Sequence, residues 1–220
     1  MKNCQYSDDY YKIHERGAIR SAENILSFLY DNLKFNTIVD FGCGTGCWIS
    51  VARKRFNTKV LGVDFHNCTN LLIDENEYMC ADLTKPLYFE CSFDLVISLE
   101  VAEHIEELNT NIYLDNLCSA GKRILFSAAL PRQGGTGHVN EKQLSYWVEQ
   151  FAYRGYFALD VIRPCFWDCE NVEIWYRNNS MLFVDKAIFH ETVSLFENYP
   201  PITDIIHPKM LLRILSRSTE

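Results

Sequence analysis

Glu100, Glu103, His104 and His138 have the types and spacing to do chemistry together. If a helix starts at about Val101, positions 100, 103 and 104 differ by three and four and share a face. His138 comes from a later glycine-rich loop, Pro131 to His138, which could close over that face. Two carboxylates and two imidazoles suit a divalent cation with open positions for substrate oxygens. The same residues also make sense without a metal. Glu103 is then a helix-start carboxylate favoured by the dipole, and His104 or His138 a general base. Both readings stand, with His104, His138 and Glu103 as catalytic candidates in either.

A second constellation lies upstream. Thr37 to Phe41 reads as a short buried strand, and Gly42-Cys43-Gly44-Thr45-Gly46 follows it. From Cys47 the spacing is helical, with Trp48, Val51 and Ala52 on one side. A strand, glycines and then a helix suit an anionic or diol-bearing ligand, because glycine admits close backbone approach and the helix start offers free N–H groups. A dinucleotide site would read G-x-G-x-x-G, whereas this turn reads Asp-x-Gly-x-Gly-x-Gly from Asp40. Lys59 to Val63 is the next buried strand and ends in Asp64, with Phe65 after it. A carboxylate there can accept both hydroxyls of a ribose, or it can simply cap the next turn. His66 and Asn67 read as turn residues.

The elements that must hold these groups follow in order. Ala18 to Leu33 carries apolar residues at three- and four-residue steps and is expected to be an amphipathic helix. Residues 1–15 are polar with three tyrosines and are expected to be a mobile lead-in. Glu77 to Ala81 reads as a short strand before Asp82 and Leu83. Phe93 to Leu99 is a continuous apolar run, as a central parallel strand should be. Helix is expected from 105 to about 119, and a fifth strand from Lys122 to Leu130. Asn140 is a fair N-cap for a helix that Gly155 closes. Tyr156 to Ile162 and Met181 to Val184 are further strand candidates. The aromatic stretch between them, 163–180, could form a substrate wall, whereas the last thirty residues have too little pattern to assign. Strands alternating with helices imply a mainly parallel sheet, with ligands at the carboxyl ends of its strands.

The bulk properties narrow the function classes. A chain of 220 residues favours one domain, 1–220, with 188–220 as a C-terminal extension. The formal net charge of −8 argues against non-specific nucleic-acid binding. Nine cysteines show no paired framework. Cys43/Cys47 and Cys165/Cys169 share an offset but lack a four-ligand zinc pattern. Free thiols in a reducing cytoplasm are expected, and no segment has the length of a membrane span. A nicotinamide oxidoreductase is disfavoured by the glycine spacing and by the lack of a Tyr-x-x-x-Lys signature. A non-catalytic cofactor-binding protein is disfavoured by the intact turn with Asp64 and Asp82.

The turn at Asp40, Gly42, Cys43, Gly44 and Gly46 resembles motif I of the class I S-adenosylmethionine-dependent methyltransferases. The resemblance covers about residues 16–187. It implies an α/β, Rossmann-like class I methyltransferase fold: a mainly parallel seven-stranded sheet with helices on both faces. It also implies S-adenosylmethionine bound by that turn, by Asp64 and Phe65, by Glu100, and by Asp82 with Leu83, the acidic group meeting the adenine amino group. E-x-x-E-H at 100–104 with a later histidine at 138 looks like the metal site of small-RNA 3′-terminal 2′-O-methyltransferases. The ubiquinone-pathway O-methyltransferases have a similar pattern, the second histidine being a feature of the former. The resemblance thus implies a divalent metal, Mg2+ or another, held by Glu100, Glu103, His104 and His138. The loop QGGTGHVNE followed by YW also looks like bacterial methyltransferases of glycan or natural-product pathways. Without an RNA-binding domain or a basic surplus, the expected acceptor is a small molecule or sugar hydroxyl. The alternative is metal-free transfer to nitrogen or carbon, with His104 or His138 as base.

Overall fold

The computed structural model describes residues 8–65, 68, 70–196 and 204–217. Its centre is a seven-stranded sheet. In chain order the strands are β1 (Thr37–Phe41), β2 (Lys59–Asp64), β3 (Tyr78–Cys80), β4 (Leu95–Leu99), β5 (Arg123–Ser127), β6 (Tyr156–Leu159) and β7 (Met181–Asp185). They lie side by side as β3-β2-β1-β4-β5-β7-β6. All neighbours are parallel except β7, which runs antiparallel to both β5 and β6. The order of neighbours reverses at β1, where the chain crosses from β3 over to β4. A crevice therefore opens at the carboxyl ends of β1 and β4.

The helices are α1 (Asp8–Leu33), α2 (Cys47–Phe56), α3 (Thr110–Ala120), α4 (Leu144–Tyr153), α5 (Arg163–Phe166), α6 (Ile174–Asn179), α7 (Phe189–Ser194) and α8 (Pro208–Arg217). They cover both faces of the sheet, because alternate strand residues point in opposite directions. Ile38, Leu95, Ile97, Leu125 and Leu182 pack with Ala22, Ile25, Leu26 and Leu29 of α1 and with α2. Val39, Val96, Ile124, Phe126 and Phe183 pack with Tyr113 and Leu117 of α3 and with Trp147 and Phe151 of α4. Phe151 stacks on Phe183 with ring centroids 4.0 Å apart. Each such fully buried apolar side chain contributes about 1.5–3 kcal/mol, so the sheet is a stiff base for its terminal loops. The stripe of Leu144, Trp147, Val148 and Phe151 is core, as its spacing predicts.

Several expectations are corrected. α1 starts at Asp8, so residues 8–15 of the expected lead-in are helical. Neither glycine nor proline interrupts them, and a helix fixed by its buried stripe extends cheaply. Residues 1–7, with Tyr6, lie outside the described residues, as do His66 and Asn67.

After β4 no α-helix starts at Val101 or 105. Glu100 has a positive φ of 56°, and its N–H donates to the Ser127 carbonyl at 3.1 Å. A single 3-10 turn at Ala102–His104 and another at Glu107–Asn109 precede α3, with Ile105 extended between them. Asn140 does not cap a helix. Its side-chain amide donates to Thr110 Oγ1 at 3.2 Å and its N–H to the Glu103 carbonyl at 3.0 Å, and α4 begins only at Leu144. The unassigned C-terminal stretch contains α7 and α8. Pro208 opens α8, and Met210 and Ile214 are its buried residues, one turn apart.

Candidate functional site

A cavity of about 380 Å³ lies at the carboxyl ends of β1 and β4. Asp40, Gly42, Cys43 and Gly44 form one side, and Glu100, Glu103, His104 and His138 another. Trp48, Trp175, Tyr176 and Arg213 close it, with Glu15 and Ala18 of α1 at the rim.

The glycine side follows from local backbone needs. Gly42, Gly44 and Gly46 all have positive φ, at 79°, 55° and 83°, so this turn is built for residues without a Cβ. At Gly42 a Cβ would also lie 2.4 Å from Val101 Cγ2. The Gly42 N–H donates to the Val63 carbonyl at 2.7 Å, which docks the turn on β2. Gly46 precedes α2 and no side chain caps that helix, so its first N–H groups face the turn.

Asp64 is half-buried, and its Oδ2 accepts the N–H of Gly44 at 2.8 Å. Asp40 is buried, and burial, helped by the charge of Asp64, pushes its carboxyl up to about 8. Gly46, Asp64, Phe65, Asp82 and Leu83 stand outside the cavity lining. Phe65 is exposed and Leu83 is buried. Asp82 accepts the Thr84 N–H at 2.9 Å and its hydroxyl at 2.6 Å, a local turn.

The acid–imidazole side brings three of the four expected residues together. One ligand atom each from Glu103, His104 and His138 lie within 4.8 Å of one another. Glu103 is fully buried and neither of its oxygens has a hydrogen-bond partner. His138 Nε2 lies 3.9 Å from Glu103 Oε1, too far for a hydrogen bond. Burial first, and then the charge of Glu100, holds the Glu103 carboxyl well above the usual carboxylate range. The imidazoles of His104 and His138 stand edge to face with centroids 4.9 Å apart. Burial, with the charge of His138, lowers His104 to about 4, against which the Gly137 carbonyl acts. His104 Nδ1 lies 3.3 Å from that carbonyl, which only accepts, so Nδ1 carries the proton. An unpartnered buried carboxylate beside two imidazoles is a donor set that fits a divalent cation.

Glu100 stands outside this group. Its Oε2 accepts from Gln133 Nε2 at 2.8 Å and its Oε1 from Asn179 Nδ2 at 3.1 Å. Burial raises its carboxyl, and the amide donors and Ser127 act against that rise. Asn179 also donates to Gln133 Oε1 at 2.9 Å, which closes a three-residue ring of polar groups. Sequence reasoning missed Gln133, Asn179 and Glu141. The one local signal is Glu141 three residues after His138; the amides meet Glu100 only through the fold.

The family described as "Methyltransferase domain" matches residues 12–155. Among solved structures, the methyltransferase domain of bacterial CtHen1-C is similar at 15% identity and a TM-score of 0.56, over 76% of this chain and 98% of that one. An S-adenosylmethionine-dependent methyltransferase from Clostridium acetobutylicum ATCC 824 is similar at 12% identity and a TM-score of 0.58, over 81% and 98%. The plantazolicin methyltransferase BpumL in complex with SAH is similar at 16% identity and a TM-score of 0.57, over 82% and 92%. No curated protein matches.

Proposed function

The chain belongs to the methyltransferase domain family, and from that premise we propose that it is an S-adenosylmethionine-dependent enzyme that methylates a hydroxyl oxygen of a small molecule or sugar with the help of a divalent cation. The observation that carries the cation is Glu103, buried with two unpartnered oxygens beside His104 and His138. Glu103, His104 and His138 would hold it, while Glu100 borders the site from its amide ring. When bound, Mg2+ or a similar cation supplies Lewis-acid polarisation of an acceptor oxygen.

The donor side is read as Asp40, Gly42, Cys43 and Gly44, with Glu100 opposite and Asp64 bracing Gly44 from outside the lining. Gly46, Phe65, Asp82 and Leu83 belong to this reading through the resemblance alone, since none of them borders the cavity. The chain's own part in the step is to hold and orient the reactants. His104, lowered to about 4, is neutral at pH 7, so the nitrogen opposite Nδ1 keeps its lone pair for the cation, and the acceptor's proton passes to water. Aligning acceptor and methyl group in a cavity walled by Trp48, Trp175 and Tyr176 is worth up to roughly 7–11 kcal/mol.

The two imidazoles on the cavity wall also support a second reading, metal-free transfer to nitrogen or carbon with His104 or His138 as base; its pKa of about 4 makes His104 a weak base at pH 7. The net charge of −8 supports a small acceptor over nucleic acid. None of the described helices is long and apolar enough to cross a membrane. A cytoplasmic setting is supported by the free thiols of the described cysteines. We also read 1–220 as one domain, because the cavity draws residues from Glu15 to Arg213.

Crystals grown with S-adenosylhomocysteine and soaked in manganese test the cation. An anomalous peak among Glu103, His104 and His138 is the expected result. Ordered S-adenosylhomocysteine without that peak would give the second reading precedence.

A further inference from the structure

We propose that Glu141 is a positioning residue for His138, fixing the imidazole with its proton on Nδ1 and its Nε2 turned towards Glu103. His138 Nδ1 lies 2.8 Å from Glu141 Oε1. The same carboxylate accepts the Gly134 N–H on Oε1 at 2.9 Å and the Arg132 N–H on Oε2 at 2.7 Å. With both oxygens accepting backbone N–H groups, Glu141 is the acceptor towards the ring as well, and Nδ1 is the donor. The proton on Nδ1 leaves Nε2 as the nitrogen with a free lone pair, and Nε2 is the atom 3.9 Å from Glu103 Oε1.

Two further contacts hold the ring in place. Gly135 has no side chain, and a Cβ there would lie 2.1 Å from His138 Nε2, so the imidazole occupies the space a larger residue would fill. The N–H groups of Val139 and Asn140 both donate to the Glu103 carbonyl, at 2.8 and 3.0 Å. His138 and Glu103 are therefore tied through their backbones, and Glu141 sets the one remaining freedom, the ring's rotation and tautomer. A histidine whose second nitrogen is held by a carboxylate is better oriented and more basic towards a metal. This use of Nε2 rests on the cation reading above; the tautomer does not.

Long-range proton–nitrogen NMR spectra of the metal-free, 15N-labelled full chain test the assignment. The neutral His138 ring of the wild-type protein is expected to show the Nδ1–H tautomer, and Glu141→Ala is expected to shift it towards Nε2–H. Gly135→Ala is expected to do the same with the carboxylate still present, which covers the case in which Glu141→Ala does not fold. An Nε2–H ring in the wild type would overturn the proposal, as would an unchanged tautomer in a folded variant. Manganese binding, followed by electron paramagnetic resonance, is expected to weaken by about 10- to 100-fold in Glu141→Ala. Equal affinity in both proteins would overturn the metal-orienting role. Wild-type protein that binds no manganese but shows the tautomer shift would sink the cation reading and uphold the positioning.

Discussion

Asp64 Oδ2 accepts the backbone N–H of Gly44 at 2.8 Å, so the carboxylate that ends β2 grips the turn that follows β1. Two adjacent parallel strands are thereby joined at their carboxyl ends, behind the stretch of turn that lines the cavity.

Replacing Asp64 by Ala is expected to weaken S-adenosylhomocysteine binding by about 10- to 100-fold, the range for losing one hydrogen bond to a charged group. Isothermal titration calorimetry checks it. Unchanged affinity would refute the place given to Asp64 beside the donor.

Gly42→Ala is expected to destabilise the fold by more than about 1 kcal/mol, because φ there is positive. Its Cβ would also lie 2.4 Å from Val101 Cγ2. Urea unfolding reads the effect, and a midpoint equal to wild type would show that the turn relaxes freely.

Asp40 makes stability depend on pH. Its carboxyl rises from 3.8 to about 8 in the folded protein, so the native state holds a proton that the unfolded chain releases. The stabilisation is fully present below pH 3.8 and is lost as pH rises through about 8. Its slope approaches about 1.4 kcal/mol per pH unit. In the ligand-free protein, Asp40→Asn is expected to flatten the decline in stability between those limits. Denaturation midpoints at a series of pH values would show a parallel decline in both proteins if Asp40 is not its source.

Glu103→Gln is expected to abolish manganese binding, an effect beyond the roughly 100-fold found for residues that only support a metal ligand. The same variant removes a buried carboxylate without a partner, so the metal-free protein is expected to be at least as stable as wild type above neutral pH. Retained manganese affinity would place the cation away from Glu103.

The strands were legible because buried parallel strands are continuous apolar runs: Thr37–Phe41 and Lys59–Asp64 stand almost where their sequences place them. The turn was legible because its glycines have a backbone reason. The segment after β4 was not. Three- and four-residue spacing cannot tell an α-helix from a 3-10 turn entered through a residue with positive φ, as Glu100 is. Asn140 looked like a cap because its chemistry permits one, yet its amide serves Thr110 in another element. The spacing of Met210 and Ile214 behind Pro208 is the one local signal for α8. Asn179 meets Glu100 across 79 positions, a pairing that no local pattern encodes.

The family match ends at residue 155, whereas Trp175, Tyr176 and Arg213 close the cavity from beyond it. Tyr176 meets Trp48, in the helix that continues the turn at 42–46, edge to face with ring centroids 5.0 Å apart. Change in what the cavity admits therefore reaches the glycine turn through one aromatic contact. Along an evolutionary path, the later stretch can be rewritten for new shapes only where the face against Trp48 is kept. A second tether is Asn179, whose amide reaches back to Glu100 behind β4 and obliges any rewriting to keep one donor at that point.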